Sequence, residues 1–327
     1  MVFRRLLVGA SGLWIFSITD IFYNHRGYLP KCMLRKIMNQ LKLGIPKGSL
    51  ESATVDLFAQ AGWTIRYRSR NYFPSIDDDE ITCALVRSQE MGPYVAGGTM
   101  DLGLCGIDWI KETQADVEVV CDLVYSKSSD QPSRWVLVVD QDSLVQKVED
   151  LEGKVVSTEL VGYTRRYLEE RGINATVEFS WGATEAKVVE GLADAAVEIT
   201  ETGTTIKAHG LRIVCDLLHT HTVLVANKDA LADPWKKAKI DQLALMLQSA
   251  LAARHRVLLK MNAPTEALDE VTKLLPSLHS PTVNRLTDSA WIAIETVVER
   301  RQVRDLIPKL RTAGAEGILE LDLKNVS

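Results

Sequence analysis

A short apolar strand that runs straight into a hydroxyl-rich turn has few ways to be satisfied. Residues 191–210 of this 327-residue chain read GLADAAVEITETGTTIKAHG. Ala195 to Ile199 has the texture of a buried strand, with Glu198 near its C-terminal end. Thr200, Glu201, Thr202, Gly203, Thr204 and Thr205 follow, a turn with one glycine. A strand, a Gly/Thr turn and a helix start together form a cradle for phosphate. Backbone N–H groups converge there and the helix end adds partial positive charge. The hydroxyls of Thr202, Thr204 and Thr205 supply further polar groups, and Glu198 is placed to grip sugar hydroxyls beside the phosphate.

A second turn of the same kind lies upstream. Gln40 to Ile45 reads as a strand entering Pro46, Lys47, Gly48 and Ser49. Ser49 has the chemistry of an N-cap, and Val55, Leu57, Phe58 and Ala61 recur at helical spacing. Ile81 to Val86 is another strand, with Arg87 at its exit. Open α/β sheets bind ligands at strand C-terminal ends, which makes Lys47 and Arg87 candidates for anion contact. Tyr94 and Val95 are read as opening a helix. Asp101 to Leu104 is a short strand, followed by Gly106, Asp108 and a helix from Trp109.

The alternation continues through the chain. Lys127 to Ser133 is a Ser-rich break, and strands and helices alternate again from Arg134 to Gly210. LRIVCDLL and HTVLVA, within residues 211–227, read as two strands that return to the first block, as in bilobal folds with a hinge. Pro234 begins a long helix. From Val257 onward the pattern is β-α-β-β-α-β, the ferredoxin-like arrangement common among small-ligand sensors. The expected organisation is therefore an extension over 1–38, a first lobe from 39–132 and 212–250, a second lobe from 133–211, and a sensing domain over 251–327.

Charge and cysteines narrow the class. The net charge of −5 leaves no basic excess for a nucleic-acid backbone. The five cysteines are scattered and lack a C-x-x-C pair, as expected of reduced thiols in a cytoplasm. His219 and His221 would share a strand face, without further ligands nearby to make a metal site. The apolar run after Arg4 and Arg5 resembles a leader but is short of the ~20 residues a spanning helix needs.

Taken together, these stretches resemble ATP phosphoribosyltransferase, the first enzyme of histidine biosynthesis, in its long form. The family signature falls on Glu185, Gly191, Ala193, Glu198, Thr202, Gly203 and Thr205. The Pro46-Lys47-Gly48 loop, Arg87…Glu90…Tyr94-Val95 and the segment Asp101 to Asp108 are similar to its other recurring segments. Ser280-Pro-Thr-Val283 and Trp291 to Val298 are similar to its regulatory domain. Glu198 departs from the more usual Asp, and residues 1–38 match nothing.

The resemblance implies an α/β fold of two periplasmic-binding-protein-like lobes with a C-terminal ferredoxin-like (ACT-like) regulatory domain. It implies transfer of phosphoribosyl from phosphoribosyl pyrophosphate to N1 of the adenine of ATP, with Mg²⁺ accompanying the pyrophosphate and no metal ligands assigned. Thr202, Gly203, Thr204 and Thr205 would hold the 5′-phosphate. Glu198 would bind the ribose and Lys47 the pyrophosphate. Arg87, Tyr94 and Asp108 would lie on the ATP side. Histidine would inhibit at Ser280 and Thr282, in a homo-hexamer built from dimers. The competing readings are a non-enzymatic two-lobed binding protein with a sensing tail, and a catalytically silent regulatory paralogue.

Overall fold

Strand β1 (Leu41–Lys47) buries residues on both faces, as a strand inside a helix-covered parallel sheet must. The computed structural model describes residues 39–67, 72–125, 132–276 and 280–327. The expected extension over 1–38 and most of the Ser-rich break lie outside them. Leu41–Ser327 forms one compact unit.

Helix α1 (Glu51–Ala61) closes on Gly62 at φ 107, the left-handed stop that glycine allows. The expected cap at Ser49 is not used. Leu50 holds the N-cap position without a side-chain bond. Glu51 instead folds back, its Oε2 accepting the Gly48 N–H at 3.4 Å. A small ribbon of β2 (Ile65–Arg66) and β3 (Ser75–Ile76) leads to β4 (Ile81–Arg87), parallel to β1. Helix α2 (Ser88–Ala96) crosses to β5 (Leu102–Gly106) on the other side of β1, and α3 (Ile107–Thr113) precedes β6 (Glu118–Leu123).

The second sheet collects β7 (Ser133–Asp140), β8 (Val155–Thr158), β9 (Thr176–Phe179), β10 (Ala195–Thr200) and β11 (Leu211–Thr220), in the order β11-β7-β10-β8-β9. Its helices are α4 (Val161–Glu169), α5 (Thr184–Val189) and α6 (Thr204–Ala208). One boundary differs from expectation. Strand β11 does not return to the first lobe but pairs antiparallel with β7, packing Leu211, Leu217 and Leu218 into the second lobe's cores. Only β12 (Thr222–Ala226) returns, inserted between β5 and β6 to give the order β4-β1-β5-β12-β6. Apolar alternation identifies a strand but not the sheet edge it joins, so the crossover lies about ten residues later than the pattern implied.

Two helices finish the first lobe, α7 (Lys228–Ala232) and α8 (Pro234–Arg254). Asp233 caps α8, accepting from Trp235 N at 2.9 Å and Lys236 N at 3.1 Å, with Pro234 at the first helical position. Ile240, Leu243, Ala244 and Leu247 form its buried stripe.

The C-terminal domain matches the sequence pattern. Its elements are β13 (Arg256–Pro264), α9 (Leu268–Leu274), β14 (Thr282–Arg285), β15 (Trp291–Glu299), α10 (Arg300–Thr312) and β16 (Glu316–Asp322), in sheet order β14-β15-β13-β16. Val257, Leu259, Met261 and Ala263 alternate inward beneath the helices. Leu319 and Leu321 on β16 stand 58% and 42% exposed. Among the described residues no helix is long and apolar enough to cross a membrane.

Candidate active site

The parallel register of β1 and β4 pairs Lys47 with Arg87, so two cations leave adjacent strands side by side. Gly48 follows at φ 111, a turn that a side chain would strain. The Lys47 ammonium lies 4.2 Å from the centre of the Tyr72 ring. Helix α2 packs tightly above β1 and β5; a Cβ on Gly103 of β5 would sit 2.5 Å from Met91 Sδ, and Gly44 of β1 meets the same side chain. That close approach brings Ser88, Gln89 and Glu90, the start of α2, to the edge of the cleft.

On the second lobe, Gly203 adopts φ 78 and starts α6. The turn is internally braced. The Gly203 N–H donates to Thr200 Oγ1 at 2.8 Å, so it does not reach outward. The Thr202 and Thr204 hydroxyls, 2.8 Å apart, bond to each other and remain exposed to solvent, where a ligand oxygen competes for them.

Glu185 and Glu198, thirteen residues apart in the chain, come together here with Glu159. Oε1 of Glu198 is buried with no hydrogen-bond partner. Burial pushes this carboxyl up to about 7; Thr184 beside it favours the charged form, while Glu185 and Glu159 repel it. Glu159 is likewise raised, by burial and then by Asp108. Ile199, the next residue after Glu198, borders the cleft together with Glu201.

The cleft between the lobes contains adjoining cavities. One of 490 Å³ is lined by Lys47, Arg87, Asp108, Trp109, Glu159 and Ile199, among others. A second of 320 Å³ shares Arg87, Trp109 and Glu159, and adds Phe179 and Trp181. A larger cavity of 640 Å³ lies between α9 and α10, but it lacks the paired acids and the threonine turn.

Asp108 and Tyr94, both expected on the ATP side, stand in different settings. Asp108 is 2% exposed, and its carboxylate is occupied by the protein itself. Oδ2 accepts the Trp135 indole N–H at 2.7 Å and Oδ1 accepts Trp109 N at 3.0 Å. Burial raises its pKa against those bonds. It borders the cleft yet acts as a clasp between the lobes, joined by Glu112, which accepts Gly162 N at 2.8 Å and Tyr163 N at 2.7 Å. Tyr94 does not open a helix but ends one. It sits in the last turn of α2, 39% exposed, and is not among the residues lining the cleft cavities.

His221 pairs with Asp122 at 2.9 Å, and no cluster of metal-ligating residues occurs among the described residues. Cys83, Cys105, Cys121 and Cys215 are free thiols, while Cys32 lies outside the described residues. Ser280 is exposed, and Thr282 starts the exposed edge strand β14 opposite Glu295.

Two α/β lobes around a cleft lined by both cations and acids, with a ferredoxin-like domain appended, define a two-lobed α/β cleft protein with a separate C-terminal domain. The family model for ATP phosphoribosyltransferase matches residues 87–249, and the model for the HisG C-terminal domain matches 253–325. An ATP phosphoribosyltransferase of Geotalea uraniireducens is 60% identical over 288 residues, covering 88% of this chain and 99% of the relative. One from Nitratidesulfovibrio vulgaris is 62% identical, covering 88% and 98%. The solved ATP phosphoribosyl transferase (HisG:HisZ) complex from Thermotoga maritima superposes with a TM-score of 0.57 at 27% identity, over 65% of this chain and 99% of that one. The chain belongs to the ATP phosphoribosyltransferase family, in the form that carries the C-terminal domain.

Proposed function

We propose that the chain joins ATP to phosphoribosyl pyrophosphate, the first step of L-histidine biosynthesis. Adenine N1 attacks the anomeric carbon, the bond from that carbon to the pyrophosphate oxygen breaks, and pyrophosphate leaves. One observation carries the reading. A single cleft has Lys47 and Arg87 on one wall and the end of β10, which leads into the Thr202–Thr205 turn, on the other.

The residues divide the work by chemistry. Thr202, Thr204 and Thr205 take the 5′-phosphate through their hydroxyls, with Gly203 shaping the turn that presents them. Glu198 accepts from ribose hydroxyls and favours the positive charge that develops on the sugar ring. Its partnerless oxygen and raised pKa fit a carboxylate that gains its partner from the ligand. Lys47 holds the departing pyrophosphate. Arg87, whose planar fork suits phosphate oxygens, holds the nucleotide. Closing the lobes orients nucleophile and sugar and excludes water, which is where most of the acceleration arises.

Mg²⁺ fits the donor chemistry here, since every nearby acid offers hard oxygen ligands. Mg²⁺ keeps several waters and takes one or two carboxylates beside phosphate oxygens, so the pyrophosphate would supply much of its coordination. When bound, it supplies charge neutralisation for the leaving group. For regulation, exposed Ser280 and edge-strand Thr282 offer histidine a site on the C-terminal domain. The uncovered Leu319 and Leu321 offer a surface for assembly into a hexamer. A cytoplasmic location accords with the free thiols.

The test is direct. Purified protein with ATP, phosphoribosyl pyrophosphate, Mg²⁺ and pyrophosphatase is expected to form a product absorbing in the near ultraviolet. Absence of product under those conditions removes the transferase reading.

A further inference from the structure

Two aromatic rings stand at the edge of the cleft with little of the protein over them. Trp181 is 84% exposed and Phe179 48% exposed. Their ring centroids are 4.8 Å apart with the planes at 86°, an edge-to-face pair. Large aromatic side chains normally bury most of their surface, so an uncovered pair beside a cavity marks a contact site.

The backbone holds Trp181 in that position. Phe179 ends β9, and buried Ser180 ties the chain down by donating its N–H to Thr158 O at 3.0 Å. Gly182 then adopts φ 92, and Ala183 adopts φ 48, ψ 37 before α5 begins. A left-handed alanine is a strained residue, and strain of this kind collects at ligand clamps. Two consecutive left-handed residues turn the chain sharply between Trp181 and α5.

Opposite the pair, across a 320 Å³ cavity, stand Trp109 and Arg87 of the first lobe. Trp109 is braced edge-on against Trp135, whose indole N–H is bonded to Asp108. The same Arg87, Trp109 and Glu159 line the polar cavity at Lys47. The cleft thus carries Phe179, Trp181 and Arg87 together with the acids Glu90, Glu112 and Glu159 in one cavity, and adds the Lys47 cation in the adjoining one. A ligand that spans both has a planar π-system for the rings and anionic groups for the two cations.

We propose that Trp181 and Phe179 hold the purine ring of the acceptor nucleotide, with its phosphates running toward Arg87. This deepens the transferase reading and rests on it. The pair sits on the lobe that carries the Thr202–Thr205 turn, and Trp109 sits on the other.

The experiment compares wild type with Trp181→Ala, Trp181→Phe and Phe179→Ala, using ATP and inorganic tripolyphosphate as calorimetric probes and steady-state kinetics alongside. Trp181→Ala is expected to weaken ATP binding and raise the KM for ATP by about tenfold, the order of one base–aromatic stack. Tripolyphosphate binding and the KM for phosphoribosyl pyrophosphate stay unchanged, and Trp181→Phe recovers most of the loss. Equal losses for ATP and tripolyphosphate, or none for ATP, overturn the proposal. So does a changed oligomeric state in light scattering with ATP binding intact, which would make the pair an assembly patch. If wild type makes no product, the transferase reading fails by itself; normal wild-type turnover with an unaltered Trp181→Ala KM for ATP removes only the purine contact.

Discussion

Replacing Glu198 with Gln separates stability from function at one atom. The carboxyl is raised from its ordinary 4.5 to about 7, first by burial and then by Glu185 and Glu159. Each tenfold change in proton affinity is worth roughly 1.4 kcal/mol, so keeping Glu198 charged costs the folded state at most about 3 kcal/mol. Solvent reaches part of the side chain, and screening brings this to about 1–2 kcal/mol.

The sign follows from the direction of the shift. The folded state binds this proton more tightly than the unfolded chain. Its contribution to stability is therefore full below pH 4.5 and is lost as the pH rises through about 7. Gln carries no charge at any pH, and its amide can donate toward Glu185. At pH 8.5 the Glu198→Gln protein is expected to melt about 2–4 °C above wild type, and at pH 5 the difference vanishes. Turnover falls in the same variant, because the ribose hydroxyls and the developing positive charge lose their carboxylate. Thermal melts from pH 5 to 8.5 and steady-state rates measure both. A melting difference that does not change with pH refutes the raised proton affinity. Near-normal turnover removes Glu198 from the mechanism.

Two further outcomes are expected. Gly203→Ala places a Cβ at φ 78 and 3.1 Å from Ile213 Cδ1; it should cost about 1–2 kcal/mol in denaturant unfolding and raise the KM for phosphoribosyl pyrophosphate more than that for ATP. Unchanged kinetics would separate the turn from the phosphate. Removing residues 258–327 should abolish inhibition by histidine; a soluble truncated protein that is still inhibited would move the histidine site off the C-terminal domain.

The local grammar of this chain was legible without coordinates. Apolar alternation, glycine stops and the Asp233-Pro234 helix start depend on near neighbours, so they announced the α/β lobes, the long α8 and the ferredoxin-like tail. The Thr202–Thr205 turn and the exits at Lys47 and Arg87 were visible for the same reason. Tertiary structure decided what these pieces meet. It paired Lys47 with Arg87 by register and gathered Glu159 and Glu185 around Glu198. It occupied Asp108 with the Trp135 indole, moved β11 to the second sheet and set Tyr94 in the last turn of α2. It also left Phe179 and Trp181 uncovered beside Arg87. Each of these depends on strand pairing and packing between segments distant in the chain, where burial and unmet polar atoms set the chemistry and local periodicity carries no information.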